Sequence, residues 1–282
     1  MALPRVAFQG EPGAYSEAAA LALWPEQIET VPCASFEQVY ESVESGDCDF
    51  AMLPVENSLA GSIHRNYDLL LQHDLSIVAE HNQRIAHCLI AHPGVSLGEI
   101  KRVYSHPQAL AQCADSLRGL NGGVQVIAAQ DTAGSVAMIK REGWRDAAAI
   151  AGERAAELYE MAILQRDFED EKNNYTRFIA LAREDVTPES GDVKTSLAFA
   201  GHNVPGLLFK SLSAFALRDI DLTKIESRPL RGVPWQYVFY LDFAGSMGEL
   251  RCQRAVAQLQ EMATFVQVFG SYPRAKAVWD EG

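Results

Sequence analysis

The sequence predicts a two-lobed α/β domain followed by a smaller α+β module. Three observations carry this. Apolar runs alternate with helical patterns from residue 4 to residue 182, a polar stretch rich in Pro, Gly, Ser and acids breaks that rhythm at 184–193, and beyond it the order becomes strand, helix, strand, strand, helix, strand. A chain of 282 residues is long enough for two such domains.

Residues 5–9 read as a strand, Gly10-Glu11-Pro12-Gly13 as a turn and 16–23 as the start of a helix. Residues 36–45 have a helical period, 50–53 form a short apolar strand, and a polar turn leads into a helix near 61–72. Residues 76–80 and 84–92 read as consecutive strands. Further strands at 102–104, 124–128 and 147–150 are each followed by a helix, at 107–117, 132–142 and 152–159. The alternation predicts largely parallel sheets. The span is long for one sheet, so 76–92 is expected to carry the chain into a second lobe and 174–182 to return it. Two lobes joined by two crossings, as in periplasmic binding proteins, leave a cleft. The C-terminal part reads as strand 195–201, helix 205–218, strands 222–228 and 236–243, helix 249–263 and strand 265–272, a ferredoxin-like βαββαβ module over 195–273.

Lys and Arg total 24 against 37 Asp and Glu, a net charge of −13 that argues against a nucleic-acid partner. The imbalance is local: residues 1–80 hold 13 acids and only two bases, Arg5 and Arg65. Five scattered cysteines form no CxxC pair and no metal-ligand spacing with the histidines, which fits a reducing compartment and no metal site. No apolar run approaches the roughly 18 residues of a membrane span, and the N-terminus lacks a signal core. A cytoplasmic protein with no membrane partner is expected. The loop at 10–16 lacks the Gly-Lys-Ser/Thr of a phosphate loop, so no nucleotide cofactor is expected, nor any other.

Four polar clusters lie between a strand end and a helix start: residues 10–16 with Ser16, Glu56-Asn57-Ser58, Ser105-His106-Pro107-Gln108, and Asp131-Thr132. Each alone reads more readily as an ordinary N-cap. Together they suit an anion site, because helix N-termini present unpaired N–H groups and partial positive charge. His87 and His92 flank an apolar strand and read as structural. A fifth cluster, Asn173-Asn174-Tyr175-Thr176-Arg177-Phe178, precedes the apolar strand 179–182.

Pro54-Val55-Glu56-Asn57-Ser58, Ser105-His106-Pro107-Gln108-Ala109-Leu110 and Thr176-Arg177-Phe178, in that order, resemble the signature motifs of prephenate dehydratases. The following module resembles the ACT regulatory domain, with Gly201-His202-Asn203-Val204-Pro205-Gly206-Leu207-Leu208 and Glu226-Ser227-Arg228-Pro229 matching its two effector motifs. Ala14 stands where the family often carries Thr, and Leu207 where Ala is usual. The resemblance implies a cofactor-free enzyme that converts prephenate to phenylpyruvate with loss of carbon dioxide and water, under allosteric control by L-phenylalanine. It also implies a homodimer or homotetramer assembled through ACT domains.

On that resemblance Thr176 assists the leaving hydroxyl, with Glu56 and His106 as proton sources behind it. Ser16, Asn57, Ser58, Gln108, Arg177 and Phe178 are expected to bind substrate, and Asn203, Val204, Pro205, Gly206, Leu207, Leu208, Glu226, Ser227 and Arg228 the effector. The charge placement sharpens this. A lobe so poor in bases must hold an anion through backbone N–H groups and neutral donors, leaving Arg177 as the full positive charge. The carboxylate that departs as carbon dioxide is then left without a strong cation to stabilise the ground state. Two rivals stand beside this reading. One is arogenate dehydratase, using the same motifs, with Glu11 near a substrate ammonium. The other is a non-catalytic small-molecule sensor.

Overall fold

The computed structural model describes residues 2–25, 27–120, 123–189, 191–230 and 235–276. Contacts divide the chain into two units. One comprises the residues up to His64 together with His81–Phe178, and the other Arg65–Glu80 with the residues from Ile179 onward.

The first unit opens with β1 (Arg5–Gln9), α1 (Tyr15–Leu23), β2 (Glu29–Cys33), α2 (Phe36–Glu44), β3 (Phe50–Asn57) and β4 (Gly61–Ser62). Strand β1 runs parallel to both β2 and β3, as consecutive β–α–β units demand. Helix α3 (His64–Leu70) and strand β5 (Ser76–Arg84) follow in the chain, mostly within the segment Arg65–Glu80 of the second unit. Then come β6 (Cys88–Ala91), β7 (Arg102–Ser105), α4 (Pro107–Gln112), α5 (Ala114–Arg118), β8 (Gln125–Ala128), α6 (Thr132–Glu142), β9 (Ala147–Ala151), α7 (Glu153–Leu158), β10 (Ala162–Gln165) and β11 (Tyr175–Ala182). The first sheet has the order β2-β1-β3-β11-β5, with β4 paired to β3, and the division between units falls within β5 and β11. The second sheet has the order β10-β6-β9-β7-β8.

Strand β9 is five consecutive small or branched apolar residues, fully buried, because helices cover both faces of its sheet. Ala148 and Ile150 face a core with Leu110, Leu117 and Phe168, and Ala147, Ala149 and Ala151 face one with Val136, Ile139 and Ala155. The period of two along β9 thus sorts its side chains between the layers.

The structure departs from the sequence expectation in several places. The second sheet is mixed rather than largely parallel, since β6 pairs antiparallel with both β9 and β10. Strand β3 runs on to Asn57, so Glu56 and Asn57 lie in a strand rather than a turn. Strands β2 and β10 were not expected, and the helix expected over 107–117 is broken at Cys113 into α4 and α5.

The second unit holds β12 (Val193–Ala200), α8 (Leu207–Ala216), β13 (Leu222–Pro229), β14 (Tyr237–Ala244), α9 (Leu250–Met262) and β15 (Phe265–Pro273). They form an antiparallel sheet of order β13-β14-β12-β15 in βαββαβ chain order. Leu197, Phe199, Leu241 and Phe243 pack with Phe215, Val256 and Leu259 of α8 and α9. The alternate positions on the sheet are polar and also buried, among them Lys194, Ser196, Tyr240 and Asp242. They meet the segment Arg65–Glu80: Tyr240 donates to the Tyr67 carbonyl at 3.1 Å, and Lys194 pairs with Glu80.

Candidate active site

Asn57, at the end of β3, is 5% exposed and organises the site. Its Oδ1 accepts from the backbone N–H groups of Leu59 and Ala60 at 3.1 and 2.9 Å, an Asx turn that fixes which way the amide points. Its Nδ2 therefore faces inward, 2.8 Å from Asn174 Oδ1, 3.0 Å from Thr176 Oγ1 and 3.2 Å from the Tyr175 carbonyl. Two amide protons serve three acceptors. Asn174 and Thr176 are the shorter contacts, and the Tyr175 carbonyl, which also accepts from Ser58 N at 2.8 Å, is the longest of the three. Ser58 completes the clamp: its Oγ donates to the Asn173 carbonyl and accepts from Tyr175 N. The residues at and just after the end of β3 thus bind β11 at its start, where Asn174 is fully buried.

The direction of these bonds has a chemical consequence. Thr176 Oγ1 is an acceptor toward Asn57, and its hydroxyl has no other partner among the described residues. Its own proton is therefore available to a ligand. Along β11 Thr176 and Phe178 share one face and are buried, and Arg177 lies on the other, half-buried.

The bonds continue past Asn174. Its Nδ2 donates to Gln112 Oε1 at 3.1 Å, and the same oxygen lies 3.0 Å from His87 Nε2. His87 Nδ1 is 2.8 Å from the Tyr15 hydroxyl, which is also 2.8 Å from the Ala86 carbonyl. Burial depresses the His87 imidazole below its ordinary value against the opposing pull of Gln112 and Glu169. Tyr15, Gln112 and Asn174 were not selected as site residues by the sequence, and His87 was read as structural.

The loop before α1 comes close to α7. Gly13 has φ +92°, and a Cβ there would lie 2.9 Å from Ala155 Cα; a Cβ on Gly152 would meet the Tyr15 ring at 3.1 Å. Glu17, not Ser16, ties the loop down: it accepts from Gly13 N and Thr30 Oγ1 and pairs with Arg154 at 2.7 Å. Ser16 is buried in the first turn of α1, whose N-cap Ala14 offers no side-chain bond.

His106 is the exposed N-cap of α4, its Nδ1 accepting from Gln108 N at 3.2 Å, and Gln108 is exposed beside it. Ser105 is spent on the Ile150 carbonyl. Glu56 is half-buried in β3, opposite Ser62 of β4. Asn57, Ser58 and Thr176 are thus brought into one hydrogen-bonded group with Asn173, Asn174 and Tyr175, whereas no hydrogen bond joins the Thr176 hydroxyl to Ser16, Glu56, His106, Gln108, Arg177 or Phe178.

In the second unit the two segments expected from the sequence to bind an effector reach the same end of the sheet. Ala200 pairs with Val238, and Val238 pairs with Arg228, so the loop that starts at Gly201 and the Glu226-Ser227-Arg228 segment end two strands apart. Asn203, Val204, Pro205 and Gly206 are exposed. The N-cap of α8 is Gly206, at φ +81°, and not Asn203, because the left-handed backbone there suits glycine. Leu207 is half-buried against Gly201 and Leu208 is exposed. On β13, Arg228 approaches Asp68 at 3.6 Å and Glu226 pairs with Lys224, while Ser227 is exposed.

Residues 6–186 match the family described as prephenate dehydratase. The chain is 50% identical over 279 residues to arogenate dehydratase/prephenate dehydratase 2, chloroplastic, from Arabidopsis thaliana, which covers 95% of this chain and 72% of that protein. The structure of prephenate dehydratase from Arthrobacter aurescens in complex with L-Phe superposes with a TM-score of 0.88 at 30% identity, covering 96% of this chain and 90% of that one. GqqA, described as a novel type of quorum-quenching acylase, also superposes at 0.88, with 34% identity and coverage of 98% and 99%.

Proposed function

The chain belongs to the prephenate dehydratase family, and from that premise we propose that Thr176, oriented by Asn57, donates the hydrogen bond under which the substrate hydroxyl departs. The reaction takes prephenate to phenylpyruvate. The ring carboxylate leaves as carbon dioxide, its bonding pair enters the ring, and the ring expels the hydroxyl at the opposite carbon, which takes a proton and leaves as water. A threonine hydroxyl is a poor acid, so Thr176 stabilises the developing charge on the leaving oxygen while Glu56 or His106 supplies the proton.

The observation that supports this reading is the fixed direction of the Asn57–Thr176 bond, which keeps the threonine proton free. Arg177 holds the carboxylate that is retained, and Ser16, Gln108 and Phe178 complete the substrate pocket. Asn57 and Ser58 have their donors engaged by protein acceptors, so in this reading they hold the start of β11 in place. Thr176→Val keeps the shape and removes the hydroxyl, and its turnover is expected to fall by about 10²-fold or more, with Thr176→Ser partly active. A loss under about tenfold in folded Thr176→Val would falsify the role.

Arogenate is the second substrate to try, since the name of the Arabidopsis relative carries both activities. Offering each substrate alone and measuring phenylpyruvate and phenylalanine decides between them.

The second unit is in this reading an ACT domain that binds L-phenylalanine and lowers activity. Its βαββαβ order and the common end reached by residues 203–208 and 226–228 support this, as does the L-Phe complex of the Arthrobacter relative. Calorimetry without a phenylalanine binding signal removes the claim. Phe209 and Leu217 of this unit are each 78% exposed and suit a dimer or tetramer contact, which light scattering reads directly. No helix among the described residues is long and apolar enough to cross a membrane. Cell fractionation tests the cytoplasmic location expected from the sequence.

A further inference from the structure

The hydrogen bonds of the first unit form one unbroken line from Tyr15 through His87, Gln112, Asn174 and Asn57 to Thr176. Their members come from five separate stretches of sequence, and donor and acceptor can be assigned from Asn57 as far as His87. The line starts from the Asn57 amide, whose oxygen is held by two backbone N–H groups. Asn57 Nδ2 then donates to Asn174 Oδ1, which turns the Asn174 Nδ2 toward Gln112. The atom of Gln112 that receives it is Oε1, an acceptor only, so the His87 nitrogen facing that oxygen must carry a proton. His87 is thereby the Nε2–H tautomer, and its Nδ1 is a lone pair facing the Tyr15 hydroxyl at 2.8 Å, whose single proton lies equally within reach of the Ala86 carbonyl at 2.8 Å.

We propose that His87, in this tautomer, is a positioning residue for the dehydratase reaction: its Nε2–H holds the Gln112 and Asn174 amides in the sense that the Asn57 amide, fixed by its own Asx turn, needs to keep its protons on Asn174 and Thr176. The proposal rests on the role given to Thr176 above. Its physical basis is that every amide in the line is symmetric in shape but not in hydrogen bonding. Without a fixed donor at the His87 end, Gln112 is free to turn its NH₂ group inward. Asn174 Nδ2 then faces a second donor, and an Asn174 amide that turns to escape it sets its own NH₂ against Asn57 Nδ2. The Asn57 amide cannot turn in answer, because its NH₂ would then face the Leu59 and Ala60 N–H groups, so the side chain shifts as a whole and its bond to Thr176 Oγ1 is weakened. The Thr176 proton would then no longer be held for the leaving oxygen, and a misplacement of this kind costs rate rather than substrate binding.

The surroundings hold His87 for this task. Its N–H donates to Glu169 Oε2 at 2.7 Å and its carbonyl accepts from Phe168 N at 2.8 Å, so its backbone is clamped on both sides. The Tyr15 ring meets the imidazole edge-on, with centroids 5.6 Å apart at 74°. Gly152 packs closely against that ring, where a Cβ would lie 3.1 Å from it. Burial raises the Tyr15 phenol well above its ordinary value and lowers the His87 imidazole, so at neutral pH one stays a donor and the other a neutral acceptor.

The test compares full-length His87→Gln, His87→Met and Tyr15→Phe with Thr176→Val. The amide introduced by His87→Gln retains an N–H donor near the position of Nε2, whereas the thioether introduced by His87→Met fills the space without one. His87→Met is expected to lose about tenfold or more in kcat with KM changed by less than about threefold, and His87→Gln to recover most of that loss. Tyr15→Phe removes the hydroxyl that faces His87 Nδ1 and the Ala86 carbonyl with little change in shape and is expected to lower kcat in the same KM-neutral manner. Nitrogen NMR of the wild-type enzyme is expected to show His87 protonated at Nε2. An Nδ1–H tautomer overturns the proposal. So does His87→Gln falling as far as a folded His87→Met, or both His87 variants and Tyr15→Phe keeping wild-type kcat while Thr176→Val is dead. Full activity in Thr176→Val would instead remove the reading on which the proposal rests.

Discussion

Lys194 places its Nζ 2.8 and 2.9 Å from the two carboxylate oxygens of Glu80, with the lysine side chain 10% and the glutamate 1% exposed. Ala275 N adds a bond to Glu80 Oε1 at 3.0 Å. The pair joins the segment Arg65–Glu80 to the sheet of the second unit. Removing one partner strands a desolvated charge, so Lys194→Met is expected to cost about 3–5 kcal/mol of unfolding free energy, whereas Lys194→Met with Glu80→Met recovers most of it. Urea melts check this, and a single variant within about 1 kcal/mol of wild type removes the pair from the account of stability.

Much of the fold was legible where the hydrophobic period was clean. Strand β9 and helix α6 were expected within a residue or so of their bounds, because a buried apolar run and a capped helix ending at Gly143 leave few alternatives. The misses share a cause in tertiary partners. The sequence of β2, Glu-Thr-Val-Pro-Cys, has a proline and no alternation, tolerable only because β2 lies at the edge of its sheet. The break at Cys113 follows from Asp170, whose two oxygens accept from Asp115 N and Ser116 N and cap α5 from 55 residues away. The site behaved alike. Asn57, Ser58 and Thr176 stood out in local motifs, but Tyr15, His87 and Gln112 acquire their meaning only when folding brings them together.

Gly270 is the backbone position least able to accept a side chain. It has φ +147°, and a Cβ would come within 2.3 Å of the Ile77 carbonyl oxygen, a backbone atom that cannot swing aside. Gly270→Ala is expected to lower stability by roughly 3 kcal/mol, seen as a fall of several degrees in Tm. An unchanged melting curve would show that β15 relaxes at no cost.

Glu17 links pH to the loop at Gly13. Burial pushes its carboxyl up, but the bonds from Arg154, Gly13 N and Thr30 outweigh burial and hold it below the ordinary glutamate range. A carboxyl depressed in the folded state binds fewer protons there than in the unfolded chain. Its stabilisation is therefore complete above the unfolded value of about 4.3 and is lost as pH falls through the folded one. The Tm advantage of wild type over Glu17→Gln is expected to be steady near neutrality and to shrink below about pH 4.3. An advantage that grows on acidification contradicts the assignment.

If residues 226–228 bind the effector as proposed, the Asp68–Arg228 pair is where its binding would be felt in helix α3. Arg228 belongs to the Glu226-Ser227-Arg228 segment of β13, and its guanidinium reaches Asp68 of α3 at 3.6 Å. The neighbouring Lys224 Nζ lies 5.3 Å from the centre of the Tyr67 ring, so β13 touches two successive residues of the same helix. Helix α3 follows directly on β4, which pairs with β3 at Glu56 and Asn57. A ligand that draws Arg228 away from Asp68 changes the restraint on a helix joined by a short run of chain to the residue that orients Thr176. Coupling energies of this kind are typically 1–3 kcal/mol, or about 5- to 150-fold in affinity. Asp68→Asn removes the charge without changing the shape, and it is expected to raise the phenylalanine concentration for half-inhibition by about fivefold or more, with turnover in its absence close to wild type. Linkage requires the reverse as well: substrate must shift phenylalanine affinity less in Asp68→Asn than in wild type. If inhibition is unchanged in Asp68→Asn, the signal does not pass through this pair.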